Sequence, residues 1–228
     1  MINILKMSLL MIIPGCLIGG CDRHTPPVPA KLEQRTFAGT IVAVGDSLTA
    51  GYGVNEADAY PAQLEKKLQA AGFQWRVVNA GISGETSSGT LSRVGWVLRL
   101  KPEIVILETG ANDGLRGIDP HVTKKNISDI VQLLKENRVS VILAGMRMAP
   151  SMGKDYTSAF AAIYPAVAKQ QGVKLMPFFL QGVAGDPALN QNDGIHPVAE
   201  GYRIITDALY PYVLQALPAK SSIGAPAS

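Results

Sequence analysis

The chain is nearly without cysteine. It has two in 228 residues, Cys16 and Cys21, both near its start. From residue 22 onward this excludes a disulfide, a thiolate metal site and a cysteine nucleophile, so a domain built there relies on its hydrophobic core alone. Histidine is scarce too, with only His24, His121 and His196, which leaves few candidates for any imidazole base. Aromatic residues make up 6%, which argues against the long aromatic-lined groove that suits sugars. No interior stretch reaches the roughly 18 apolar residues of a membrane span. There is no internal repeat. The formal charge of +3 is spread along the chain, with no basic block of the kind that reads nucleic acid.

What is present suits one domain: 228 residues, 47% of them hydrophobic, can form a full-sized core. The start of the chain has a different character. Lys6 precedes a mostly apolar stretch, residues 7–18, that ends in Gly19-Gly20-Cys21. A basic residue followed by an apolar run too short to span reads as an export signal over residues 1–20. Ile18-Gly19-Gly20-Cys21 also resembles a bacterial lipobox, in which the cysteine is acylated and becomes the new N-terminus. Cys16 follows a glycine as well, but Pro14 shortens the run before it. The expectation is an exported, periplasmic protein anchored to a membrane through Cys21. The plainer alternative is a signal peptide whose cysteines carry no lipid. Asp22 resembles the inner-membrane retention signal of some Gram-negative lipoproteins. Residues 21–37, with Pro26, Pro27 and Pro29, read as a linker. The folded domain is expected over residues 38–217, and the Ala/Ser/Pro/Gly tail, 218–228, is expected to be disordered.

Within the domain, short apolar runs alternate with helical patterns. Residues 40–44, 76–79, 104–107, 140–144 and 173–176 read as strands. Four of them are rich in Val, Ile or Leu, as strands buried on both faces should be. Asp58 is a candidate cap for a helix near Pro61, with Leu64, Leu68 and Ala71 on one face. Asp119-Pro120 is a cap followed by proline in the first turn, and Ile127, Ile130, Val131 and Leu134 form one stripe behind it. Gly72 and Gly172 stand where helices should end. The alternation predicts an α/β fold with a parallel sheet between two helical layers. In such sheets ligands bind beyond the carboxyl ends of the strands. Ser47, Gly84, Asn112 and the 146–153 loop all follow strands, so they should meet on one edge.

The residues at that edge suggest acyl transfer to water. Gly45-Asp46-Ser47-Leu48-Thr49 follows the first strand, and Asp193-Gly194-Ile195-His196-Pro197 lies near the other end of the chain. A serine hydroxyl needs a base to attack at neutral pH. His196 can supply it, and Asp193, three residues earlier, can hold the imidazole tautomer. Taken singly, these residues also fit blander roles: Ser47 as a helix cap, Asp193 as a cap and His196 as a surface residue. Pro197 suits the first turn of a helix through Val198, Tyr202 and Ile205. The G-x-S-x-G elbow is absent, because Thr49 stands where its second glycine belongs. Oxyanion donors are offered by the Ser47 N–H, by Gly84, where a glycine permits close backbone approach, and by the Asn112 amide. Gly84 also fits a plain loop glycine, and Asn112 an Asx turn. Met146, Met148 and Pro150 are candidates for an acyl-chain wall, since methionine adapts to varied ligands; the alternative is core filling. Glu108 and Arg116 are expected to be a structural ion pair or solvated charges.

Gly45-Asp46-Ser47-Leu48, Gly84, Gly110-Ala111-Asn112-Asp113 and Asp193-Gly194-Ile195-His196-Pro197 resemble, in order and spacing, the four blocks of the SGNH (GDSL) hydrolases. The stretches 79–86, 112–117 and 163–165 are similar to the acyl-CoA thioesterase I, arylesterase and lysophospholipase branch. The resemblance implies a flavodoxin-like three-layer sandwich with a five-stranded parallel sheet, and no cofactor or metal. It implies Ser47 as nucleophile, His196 as base, Asp193 as orienter, and Ser47, Gly84 and Asn112 as oxyanion donors. The substrate would be a small ester or thioester. The same blocks also serve O-deacetylases of envelope carbohydrate, and a non-catalytic lipid-binding module on this fold is the alternative outside enzymes. Ala111 departs from the glycine common in that branch, which is tolerable if the backbone there is not at positive φ.

Overall fold

The computed structural model describes residues 36–218. The export-signal and lipobox segment, Cys21 and Asp22 included, lies outside the described residues, as do most of the linker and the tail beyond residue 218. Five strands form one parallel sheet: β1 (Gly39–Gly45), β2 (Trp75–Gly81), β3 (Ile104–Glu108), β4 (Ser140–Ala144) and β5 (Lys174–Met176). Their spatial order is β2-β1-β3-β4-β5. The five expected strands are all present, with β5 one residue shorter and β1, β2 and β3 two, three and one residues longer than the runs read for them.

The inner strands are apolar because both faces are covered. Ile41, Val42, Ala43 and Val44 of β1, and Ile104 to Leu107 of β3, are buried. The helices are α1 (Ser47–Ala50), α2 (Tyr60–Ala70), α3 (Ser87–Ser92), α4 (Val94–Arg99), α5 (Ala111–Leu115), α6 (Pro120–Glu136), α7 (Lys154–Ala161), α8 (Ile163–Gln171) and α9 (Ala199–Ala216). Helices α2 and α9 pack together on one face of the sheet, and α3, α6 and α8 cover the other. The stripe read on α6 is fully inward: Ile127, Ile130, Val131 and Leu134 are all buried. Edge strand β2 is more exposed, and the Glu65 carboxylate accepts its Val77 N–H (2.6 Å), occupying part of the open edge.

Capping follows the reading in part. Asp119 accepts the His121 N–H (2.8 Å) at the start of α6, and Gly172 ends α8 in the left-handed region. Asp58 caps nothing. It ends a single 3-10 turn, and α2 begins after Ala59 with Pro61 in its first turn. Ala71 is the exposed C-cap residue of α2 rather than part of its buried face. Pro197 does not begin α9. It forms an antiparallel bridge with Asn190, which holds the chain extended, and the helix starts two residues later at Ala199.

Candidate active site

The strand order places a switch point between β1 and β3, where successive connections leave in opposite directions. Ser47 leaves β1 there as the first residue of α1, and Asn112 leaves β3 in the first turn of α5. Asp46 caps α1 through a bond from the Leu48 N–H (3.0 Å). At position 45 a Cβ would overlap Thr49 and Glu108, so only glycine lets these groups close behind the serine. Gly81 likewise lies against the backbone of Ala50.

His196 Nε2 lies 2.8 Å from Ser47 Oγ, and its Nδ1 lies 2.7 Å from Asp193 Oδ2. The other Asp193 oxygen accepts the backbone N–H groups of Ile195 (2.9 Å) and His196 (3.0 Å). The bonds from the His196 backbone and ring, then that from Ile195, hold the Asp193 carboxyl down at about 2. An ionised Asp193 can only accept, so His196 carries its proton on Nδ1, and Nε2 is free to accept from the serine hydroxyl. Gly194, at φ +70°, makes the turn that closes this pair. Gln191 ties the segment to the serine side: its Nε2 donates to Tyr52 O (2.7 Å) and Pro197 O (3.1 Å).

Gly84 sits at φ +78°, a left-handed conformation that favours glycine. Among the described residues, no acceptor meets the N–H of Gly84 or of Ser47. The Gly84 loop is held by the partly buried Glu85–Arg93 pair (2.6 Å). Asn112 donates its side-chain amide to Glu85 O (3.0 Å) and Asp46 Oδ2 (3.1 Å). Ala111 lies in the helix; the left-handed residue is Gly110, at φ +104°, so the departure at position 111 is tolerated. Asp113, buried beside Asn112, accepts from the Ser87 hydroxyl and N–H (2.7 Å) and anchors α5 to α3.

Ser47, Gly84, Asn112 and His196 line one cavity of about 230 Å³. A second cavity, of about 420 Å³, shares Leu48, Ala111, Leu115 and Ile195 with the first. Met146, Met148 and Pro150 line the second, together with Phe178 and Leu180. The predicted loop therefore walls an apolar space beside the serine, although Met146 is itself buried. Sequence reasoning missed Leu115 and Ile195. Their signal was a large apolar side chain in a glycine-containing polar stretch.

Glu108 and Arg116 are neither paired nor solvated together. Arg116 is exposed and donates to Gly84 O (2.8 Å). Glu108 is fully buried behind Ser47, where it accepts from the Thr49 hydroxyl (2.9 Å) and, at 3.4 Å, from the Asp46 N–H. Burial and the adjoining Asp46 carboxyl push Glu108 well above the usual carboxylate range. Burial pushes Asp46 up to about 6, against the hydrogen bonds it accepts.

A family model described as GDSL-like lipase/acylhydrolase matches residues 43–204. Esterase TesA of Pseudomonas aeruginosa is 39% identical over 181 residues, which cover 79% of this chain and 90% of that protein. The Escherichia coli (strain K12) protein named thioesterase 1/protease 1/lysophospholipase L1 is 40% identical over 171 residues, covering 75% of this chain and 81% of its own length. Among solved structures, a crystal structure of TesA is similar with a TM-score of 0.76 at 38% identity, covering 78% of this chain and 99% of that one.

Proposed function

The chain belongs to the GDSL-like lipase/acylhydrolase family and is an esterase of the SGNH type, and we propose that it hydrolyses carboxylic esters and thioesters through an acyl-enzyme on Ser47. The observation that carries this reading is the run of contacts from Ser47 Oγ to His196 (2.8 Å) and from His196 to Asp193 (2.7 Å). Ser47 attacks the carbonyl carbon while His196 Nε2 takes its proton. Asp193 holds the tautomer and stabilises the imidazolium. The carbonyl oxygen becomes an oxyanion facing the N–H groups of Ser47 and Gly84 and the Asn112 amide. His196 then returns the proton to the departing alcohol or thiol. Water repeats the sequence on the acyl-enzyme and frees the acid.

The acyl chain enters the 420 Å³ cavity past Leu48 to Met146, Met148 and Phe178. Its apolar walls support short to medium acyl chains over a sugar as the group held there. Each methylene removed from water contributes about 0.8 kcal/mol, so p-nitrophenyl hexanoate should have a higher kcat/KM than the acetate. Steady-state hydrolysis of the two esters is the test. Ser47→Ala should abolish turnover and leave the circular dichroism spectrum unchanged. Absence of wild-type turnover above the uncatalysed rate would sink the reading.

The placement of the enzyme is part of the same reading. We take residues 1–20 as an export signal and Cys21 as the acylated residue that tethers a periplasmic domain, residues 38–217, through the linker. No described helix is long and apolar enough to cross a membrane. Cys21→Ser should move the protein from the membrane fraction to the soluble fraction. Unchanged membrane association would rule the lipobox out.

A further inference from the structure

The leaving-group side of the reaction has no residue assigned to it. The larger cavity takes the acyl chain, and the oxyanion faces Ser47, Gly84 and Asn112. The departing oxygen or sulfur must lie toward His196 Nε2, which protonates it. Tyr52 occupies that end. It lines the smaller cavity with Ser47 and His196 and takes no part in the larger one. Its ring centroid lies 4.7 Å from that of His196, with the planes tilted by 45°.

Two features set this ring apart. First, it is 53% exposed, whereas Tyr60, Tyr164 and Tyr202 are fully buried. Exposing that much of an aromatic ring forgoes burial energy that a core tyrosine would realise. Second, its backbone is held from both sides. The Tyr52 N–H donates to Ser47 O (3.0 Å), its carbonyl accepts from Gln191 Nε2 (2.7 Å), and Gly51 and Gly53 flank it, each at φ +79°. A side chain exposed in this way but anchored to both the serine turn and the histidine loop is placed rather than left over. A flat leaving group that meets it gains an offset or edge-to-face contact.

Resting on the esterase reading, we propose that Tyr52 is a specificity residue that favours flat aromatic leaving groups. It holds a phenol or aryl thiol against its ring while His196 Nε2 delivers the proton. An alkyl alcohol of similar size gains less, because it has no aromatic face to present. The alternative role for the ring is to support His196 itself. That role would act equally in acylation and deacylation and would not discriminate between leaving groups.

The test holds the acyl group constant. Values of kcat/KM for phenyl acetate and trifluoroethyl acetate are measured for the wild type, Tyr52→Ala, Tyr52→Leu and Tyr52→Phe. Comparing the aryl-to-alkyl ratio between variants cancels the esters' intrinsic reactivity. The ratio should fall roughly 3- to 10-fold in Tyr52→Ala and Tyr52→Leu, the scale of one aromatic contact, and persist in Tyr52→Phe. Deacylation of the acetyl-enzyme, which contains no leaving group, should change less than about 2-fold on the same argument. Tyr52→Leu keeps apolar bulk, so it reads the ratio even if the alanine variant folds poorly. Equal losses on both esters and in deacylation would overturn the proposal and leave Tyr52 as support for His196. No wild-type turnover on either ester would instead count against the esterase reading.

Discussion

Asn112 carries two amide hydrogens, and both are engaged, by Glu85 O and by Asp46 Oδ2. This orients the amide before any substrate arrives. An arriving oxyanion then competes with the Asp46 carboxyl for the same donor. Full charge on Asp46 would oppose negative charge on the substrate. The burial that pushes Asp46 up to about 6 softens that conflict at mildly acidic pH. Removing the amide by Asn112→Ala should therefore lower kcat by roughly 10²–10³, the usual effect of losing one oxyanion donor. KM should change far less, because the contact strengthens only as the oxyanion forms. Michaelis analysis on p-nitrophenyl hexanoate separates the two parameters. An unchanged kcat would take Asn112 out of the oxyanion site.

At the scale of elements, the serine turn is held by close backbone packing. Gly81 ends β2, and a Cβ there would overlap the backbone of Ala50 in α1. Backbone cannot swing aside as a long side chain can, so Gly81→Ala must push α1, and Ser47 with it. The expected cost is about 1–3 kcal/mol, with a fall in kcat as the serine moves from His196. Gly95 in α4 has open space around it. Gly95→Ala should be neutral or stabilising by up to about 1 kcal/mol. Urea denaturation of the two variants tests the contrast, and equal stabilities would refute it. The same distinction between local and long-range causes explains what was legible in the sequence. Strand β4 was read to the residue because burial on both faces writes itself as a continuous apolar run. The start of α9 was not, because the Asn190–Pro197 bridge decides it, and no local pattern reports a bridge. That Ser47, Asp193 and His196 would meet was legible because the chemistry they suggest restricts residue type and spacing. Glu108 was misread because its burial, and its contacts with Thr49 and Asp46, 59 and 62 positions away, follow from the fold. Tyr52 stood next to the motif, but its role depends on contact with His196, which only the fold supplies.

For the whole molecule, the buried acids oppose the usual acid response of a protein. Asp46 has a folded value of about 6 against an ordinary 3.8, so the folded state binds its proton more tightly than the unfolded chain does. Its stabilising contribution is complete below pH 3.8 and is lost as the pH rises through about 6. Glu108 acts in the same sense, since burial and the adjoining Asp46 carboxyl raise it as well. Asp193 acts in the opposite sense. Lowered to about 2, it stabilises above pH 3.8 and loses that contribution as the pH falls through 2. Its partial exposure makes this smaller than the shift alone implies. The Asp193 window lies below those of Asp46 and Glu108, so stability contributed by these three groups should peak near pH 4. Surface carboxylates blur the absolute curve, but they are common to the wild type and Asp46→Asn. The difference in Tm, wild type minus Asp46→Asn, should therefore grow as the pH falls from 7 to 4. A shift of this size corresponds to at most about 3 kcal/mol, or several degrees for a domain of this length. Differential scanning calorimetry across that range measures it. A difference that stays constant would mean that Asp46 takes up no proton between pH 4 and 7, and that the site runs with its full charge beside the oxyanion.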